Sequence, residues 1–363
     1  MESYSVKKSD GEILRKHYSS YVLGVDVGGT NTNIGIAGVE GKRPFLLFSL
    51  NFKTKDFDSL IPAIKQSIEY SKKEYNIDID IACIGAAGVV SDSKDYVELT
   101  NIEWNISAKE IIEQTSLNEV IIINDFQAIG YGINLLDDKN KNDFYVVNSK
   151  KSRPKFTKAI IGAGTGLGKS ILTFDNNINA HVPLASEGGH SEFPVQNDFE
   201  IGLTSFIKEK MGINEPISYE EVLSGRGLEN IYYYLRKKQE HITTIYDRKI
   251  DDSSDKAEAI SKYKKVDETC QEAFRLFAKF YGRCAKNFVL DSMALGGLYI
   301  AGGIAAKNKE IFDSKDFFDE FQNAYRRGEI LREIPIYVII NYDVSLLGAC
   351  FAAMLRTLGR ENG

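Results

Sequence analysis

YVLGVDVGGTN, residues 21–31, is the stretch that decides the fold. Tyr21 to Val27 is an apolar run that stops at Gly28-Gly29-Thr30, so it reads as a buried strand ending in a tight turn. Asn33 to Ala37 and Phe45 to Leu50 read as the next two strands. Asp58 to Ser71 follows with Leu60, Ile61, Ile64 and Ile68 on one helical face. Ile79 to Ile84 returns as a strand, and Val97 to Leu99 reads as a short one. Ser107-Ala108-Lys109-Glu110 is a capping-box sequence opening a helix through Ile111 and Ile112. Val120 to Ile123 then delivers Asn124-Asp125 at the carboxyl end of a buried strand. Strands alternating with helices in this way make an α/β unit.

A second unit begins near Lys158. The strand Ala159-Ile160-Ile161 runs into GAGTGLG (162–168), Ser170 to Phe174 follows, Asp175-Asn176-Asn177 turns the chain, and Ile178 to Val182 returns. Helices are expected around Ile201 to Met211, Leu228 to Lys237, Asp267 to Leu290 and Leu346 to Leu358. Further strands are expected at Leu298 to Ile300 and Ile336 to Ile340. Arg236 to Lys265 is rich in charge and poor in core residues, and reads as an exposed helix or loop insertion. The strand–glycine-turn–strand theme occurs twice, at Asp26 and at Gly162, which hints at two related halves.

Glycine turns let a backbone approach a phosphate closely, and successive N–H groups in them form anion-binding nests. Asp26 before Gly28, Gly29, Thr30 and Asn31 is placed to hold Mg²⁺ through water; a hairpin turn with a solvated aspartate is the plainer alternative. Ala163 to Ser170 approximates a P-loop, A-x-x-x-x-G-K-S, but a P-loop must open a helix. Here Ile171 to Phe174 and the Asp-Asn-Asn turn indicate a hairpin, so Gly164, Thr165 and Gly166 read as a loop holding phosphate without a Walker lysine, and loss of the Lys169 side chain is expected to be mild. Asp125, at a strand end, can take a proton from an attacking hydroxyl; a helix N-cap before Phe126-Gln127-Ala128 is the alternative. Glu187-Gly188-Gly189-His190 sets two hydrogen-bonding side chains around glycines, suited to a sugar's hydroxyls, or else a turn with a core histidine. Tyr219-Glu220-Glu221 follows Ser218 at a helix start, where capping is the bland account.

The 363 residues suggest two domains or one large α/β unit with insertions. At 43% hydrophobic the chain can bury a sizeable core. A net charge of −6 with no long basic run points away from nucleic acid or an anionic membrane as partner. The scattered Cys83, Cys270, Cys284 and Cys350 contain no CxxC pair, and read as free thiols in a reducing compartment. No stretch is apolar enough to span a bilayer, and residues 1–20 lack a signal-like core, so a cytoplasmic location is expected. About twenty residues before the first strand are too few for a helix-turn-helix, which removes the DNA-binding regulator.

In this order, GVDVGGTN (24–31), LTNIEW (99–104), IINDF (122–126), GAGTGLG (162–168), SEGGHSEFP (186–194), SYEEVLSGRGL (218–228) and IAGGI (300–304) resemble the bacterial-type glucokinases of the actin/hexokinase/Hsp70 superfamily. The match runs from about Tyr21 to the last helix. The resemblance implies an α/β fold of two ribonuclease-H-like (actin-like ATPase) domains flanking a cleft: residues 21–135 plus 341–363 as the small domain, 136–340 as the large one, and 1–20 as an N-terminal extension. It implies ATP-dependent phosphorylation of glucose, with Mg²⁺, by a homodimer. It puts the catalytic base on Asp125, sugar contacts on Asn101, Asn124, Asp125, Glu187, His190 and Glu220, and the metal-bound water at Asp26. Phosphate loops fall on Gly28 to Asn31 and Gly164 to Gly166, and Gly302 and Gly303 fall beside the adenosine. The long N-terminus, the charged 236–265 stretch and Ser191-Glu192 depart from the family pattern. No cysteine-rich zinc motif follows His190, which sets the chain outside the ROK branch. A kinase for fructose, mannose or an N-acetylhexosamine, or a non-catalytic sugar sensor, remains the alternative reading.

Overall fold

A computed structural model describes residues 4–100, 102–238 and 243–361. The chain divides into two compact units: residues 1–138, 174–185 and 341–363 form the first, and residues 139–173 and 186–340 the second.

The first unit is built on a six-stranded sheet. Its strands are β1 (Tyr4–Lys8), β2 (Ser20–Val27), β3 (Asn31–Glu40), β4 (Arg43–Lys53), β5 (Ile81–Ala86) and, after a small sheet of β6 (Gly88–Val90), β7 (Tyr96–Leu99) and β8 (Ile106–Ser107), β9 (Glu119–Asn124). The order is β1-β4-β3-β2-β5-β9. β2, β3 and β4 form an antiparallel meander, whereas β5 and β9 add in parallel beside β2. Every residue of β5 is buried, as its unbroken apolar and small composition requires of a strand covered on both faces. The helix Ile61–Tyr75 starts at Ile61 rather than at Asp58, with Pro62 in its first turn, and is closed by Asn76 in the left-handed conformation.

Of residues 1–20, expected as an extension, the described ones from Tyr4 onward are part of this unit. β1 pairs with β4 from Tyr4↔Phe52 to Lys8↔Phe48, and the Tyr4 ring packs against Phe52 and Tyr70. Tyr18 is buried. The sequence hid this strand because an edge strand needs no apolar alternation: its other four residues, Ser5 to Lys8, are exposed.

The second sheet has the order β10-β15-β14-β11-β12-β13. Its strands are β10 (Phe144–Asn148), β11 (Lys158–Ala163), β12 (Leu167–Asp175), β13 (Ala180–Ser186), β14 (Gly297–Ala301) and β15 (Ile336–Ile339). β12 runs antiparallel to β11, and β14 and β15 add in parallel on the other side. The two sheets therefore repeat one plan, a glycine-turned hairpin flanked by parallel strands. Phe174–Ala185, assigned from sequence to the large domain, groups with the first unit, where Ile178 and Ala180 join the cluster around the closing helix Val344–Glu361. The core of the second unit gathers on Glu268–Ser292, a helix capped by Asp267 through the Cys270 N–H at 2.8 Å.

The described part of the charged 236–265 stretch is helical, as one of its two readings allowed, but it contributes to the core instead of lying wholly exposed. Its described part holds two helices, Ile245–Asp251 and Lys256–Tyr263, which bury Ile250, Ala259 and Ile260. Asp247 is fully buried, accepting a hydrogen bond from the Tyr232 hydroxyl and facing Arg236 at 3.5 Å. Residues 239–242 lie outside the described ones.

The closing helix crosses the helix Asp125–Gly132 so closely that a Cβ at Gly348 would sit 1.7 Å from the Ala128 carbonyl oxygen. Gly348→Ala should therefore overpack this crossing, lower stability by about 1–3 kcal/mol in urea unfolding, and reduce turnover by shifting the helix that begins at Asp125.

Candidate active site

The chemistry-bearing residues fall into a group in each unit. In the first, Val27 pairs with Ala86 and Ala86 with Asn124, so the carboxyl ends of β2, β5 and β9 form one row. Adjacent strands lie about 4.8 Å apart, which sets the backbones beside Asp26 and Asn124 roughly 10 Å from each other. Open α/β sheets gather ligands at such strand ends.

Asp26 is the last acidic residue of β2 before the turn. Its Oδ1 accepts from the Ser345 hydroxyl at 2.7 Å, a contact with the start of the closing helix. Burial pushes its pKa above 3.8; hydrogen bonds from Ser345 and Asn33 pull it back, and the Asp343 charge pushes it up again. Sequence reading missed Ser345, which lies 319 residues away, and no local pattern marks it. The turn itself is locked: Gly28 donates to the Asn31 carbonyl at 3.0 Å, and Thr54 donates from its hydroxyl to the Gly28 carbonyl at 2.7 Å and from its N–H to the Thr30 carbonyl at 3.1 Å. Lys53 reaches Asn31 Oδ1 at 2.8 Å.

Asn124 caps the helix Asp125–Gly132: its Oδ1 accepts from the Phe126 N–H at 2.9 Å while Gln127 Oε1 accepts from the Asn124 N–H at 3.2 Å. The N-cap considered from sequence for Asn124-Asp125 is thus Asn124. Asp125 occupies the first helical position with its Oδ1 accepting from the Phe126 N–H at 2.9 Å. Asn101, expected as a sugar contact, lies outside the described residues.

In the second unit, β12 continues as a strand to Asp175, so no helix follows Lys169 and the hairpin reading of Gly164 to Gly168 stands. Lys169 is buried, between the Tyr219 and Phe288 rings at 5.2 Å each. Its truncation would therefore open a cavity rather than be the mild change expected from sequence.

Glu220 joins the glycine hairpin of β11 and β12 directly. Its Oε2 accepts from the Leu167 N–H at 2.9 Å and its Oε1 from Arg226 at 3.2 Å. It stands in a single 3₁₀ turn, Tyr219–Glu221, and does not cap a helix. Glu187 precedes and His190 ends another 3₁₀ turn, Gly188–His190, with both side chains exposed and Nε2 to Oε2 at 3.8 Å. A Cβ at Gly189 would lie 1.8 Å from the Leu167 carbonyl oxygen, so only glycine lets this turn sit against the hairpin. The Tyr219 N–H donates to the Ser191 carbonyl at 2.9 Å, stapling the two turns together.

Gly164, Thr165 and Gly303 line a cavity of about 930 Å³. Gly302, at φ +93°, is the N-cap of the short helix Gly303–Lys307. A Cβ at Gly164 or Gly303 would meet open space, so the cavity has room against the backbone for a ligand. The charged insertion also lines it, through Lys249, Ser253, Ala257, Ser261 and Tyr263. Sequence reading kept that stretch away from the chemistry because its charges look like a solvated face. Among the described residues no group of three or more His, Cys, Asp or Glu could hold a metal ion directly. The single carboxylate of Asp26 fits a metal held through water, and the glycine-lined cavity fits a nucleotide.

No helix among the described residues is long and apolar enough to cross a membrane. The four thiols are free and buried.

Comparison with known proteins agrees with this arrangement. The family model described as "Glucokinase" matches residues 23–356. A glucokinase of Nostoc sp. is 32% identical over 346 residues, covering 92% of this chain and 98% of its own. A glucokinase from an Antarctic psychrotroph superposes with a TM-score of 0.75 at 24% identity, covering 92% of this chain and 98% of that one. Glucokinase from Balamuthia mandrillaris, solved in complex with glucose, gives 0.73 at 23%, covering 92% and 93%. These solved structures share the actin-like fold of two ribonuclease-H-like units. The extent of the family match and the identity to the curated relatives together place the chain in the glucokinase family.

Proposed function

We propose that this chain transfers the terminal phosphoryl group of ATP to the 6-hydroxyl of glucose. Asp125 carries the reading: it is a carboxylate at the end of a parallel strand, in a chain matched along residues 23–356 by the glucokinase family. Its Oδ1 is oriented by the Phe126 N–H, and the carboxylate takes the hydroxyl proton as oxygen attacks phosphorus. Asn124, Glu187, His190 and Glu220 hold the remaining hydroxyls, as does Asn101 by resemblance.

The Gly28 and Gly164 amides are spent inside their own turns. The amides of Gly29, Thr30, Thr165 and Gly166 take no backbone partner among the described residues, and these are the donors offered to phosphate. Mg²⁺, when bound with the nucleotide, offsets charge on the phosphoryl oxygens. Asp26 would hold such an ion through water, and Ser345 keeps that carboxylate in place. Gly302 and Gly303 lie beside the adenosine. We further place the enzyme in the cytoplasm, at the first step of glycolysis, as a homodimer; the family resemblance supports all three, and the buried free thiols suit a reducing compartment.

The test is a coupled assay with Mg-ATP against a panel of hexoses, following ADP and sugar 6-phosphate together. Strong turnover with glucose and little with fructose or N-acetylhexosamines is expected. Turnover with another hexose would rename the substrate, and sugar binding without turnover would make the chain a sensor. In the same assay Asp125→Asn should lower kcat at least ~100-fold while glucose still binds; wild-type turnover in that variant would remove Asp125 from the role.

Asp26→Asn should reduce activity about 10- to 100-fold, as loss of an outer-sphere metal partner does. Its stability should move the other way. The folded protein raises the Asp26 pKa, so the wild type loses stability as pH rises from the ordinary value of 3.8 through the raised one, and the loss is complete above it. The variant should be the more stable at pH 7, with the advantage vanishing below the ordinary aspartate value of 3.8. Urea midpoints across that range are the measurement; an advantage that grows towards acid would show the sign to be wrong.

A further inference from the structure

Arg226 has no role in the reading above, yet it lines the nucleotide cavity next to Gly164 and Thr165. Two hydrogen bonds put it there. The Gly225 N–H donates to the Gly164 carbonyl at 2.9 Å, joining the start of the helix Gly225–Lys238 to the phosphate hairpin. Glu220 reaches the same hairpin through the Leu167 N–H. The Arg226 Nη2 then donates to Glu220 Oε1 and to Glu221 Oε1, both at 3.2 Å. Its side chain is still 53% exposed. One nitrogen makes both contacts, which leaves the Nη1 and Nε donors of the fork for a ligand.

The other cations on this cavity are differently engaged. Lys307 pairs with Glu258 at 3.1 Å, and Lys249 and Lys262 lie over tyrosine rings of the insertion. Arg226 is thus the cation tied to the phosphate hairpin. It also stands before two carboxylates, and Glu221 Oε2 is buried with no hydrogen-bond partner. A polyphosphate beside Gly164 and Thr165 would face these carboxylates directly if the guanidinium were absent.

Building on the nucleotide reading of this cavity, we propose that Arg226 contacts the polyphosphate of the bound nucleotide and screens it from Glu220 and Glu221. A planar guanidinium suits phosphate oxygens better than a lysine ammonium does, because two parallel N–H groups can bind at once. The residue then touches the phosphoryl donor on one side and a sugar-binding carboxylate on the other.

Calorimetric titration of ATP and of adenosine into the wild-type protein, Arg226→Gln and Arg226→Lys, without sugar, tests this. Arg226→Gln should weaken ATP at least ~10-fold and leave adenosine within about twofold, with Arg226→Lys in between. Unchanged ATP affinity in Arg226→Gln would overturn the proposal. So would an equal loss for ATP and adenosine, which marks a purely structural residue. Arg226→Lys keeps the charge, and supplies the same comparison should the glutamine variant misfold. Failure of the wild-type protein to bind either ligand would instead overturn the nucleotide reading of the cavity itself.

Discussion

The row of parallel pairs from Val27 through Ala86 to Asn124 is the constraint on which the first unit's chemistry depends. Strand spacing is fixed by backbone hydrogen bonds, so the distance between the ends of β2 and β9 cannot drift while β5 stays between them. β5 is buried throughout and has no freedom to slip, since a one-residue shift would change every side chain's face. Asp26 and Asp125 are thereby held on one edge of one sheet, the former steadied by Ser345 and the latter by the Phe126 N–H. The closing helix contributes twice, through Ser345 and through the tight crossing at Gly348.

The second unit reaches a similar arrangement with different residues. β11 carries the glycine turn where β2 does in the first, and β14 and β15 take the parallel positions of β5 and β9. Gly302 follows β14 and begins the short helix that lines the cavity. A hairpin can hold phosphate because its turn amides point away from the ladder, with no helix dipole required. That explains why the lysine at the P-loop position is free to be buried between Tyr219 and Phe288 instead of reaching a ligand.

Much of this was legible in the sequence, for identifiable reasons. Central strands such as Val120 to Ile123 announce themselves as apolar runs, and turns such as Gly28-Gly29-Thr30 by composition, so the α/β plan and the residues at strand ends could be read directly. The hairpin at Gly162 was separable from a P-loop because β-type residues continue past Lys169. What escaped depends on long-range packing. β1 gains its place only from β4, and the insertion helices bury Ile250 and Ile260 under a charged exterior. Ser345 carries no local signature, and Arg226, although it stands inside SYEEVLSGRGL, shows its meaning only through the carboxylates at 220 and 221, as Ser345 does through Asp26.

Leu167 shows how closely the second unit's functions are joined. Its N–H is held by Glu220, and its carbonyl oxygen leaves room only for glycine at position 189, within the turn that separates Glu187 from His190. Its neighbour Gly166 belongs to the phosphate loop. A displacement of that loop would have to move the Leu167 peptide, and with it either the Glu220 bond or the packing under Gly189. Close-packed backbone transmits such shifts rather than absorbing them, because there is no side chain to rotate out of the way. Within the second unit, Glu220, the Gly188–His190 turn and the Gly164–Gly166 loop are therefore packed against one peptide, and on the roles proposed for them an occupant of one position bears on the geometry of the other.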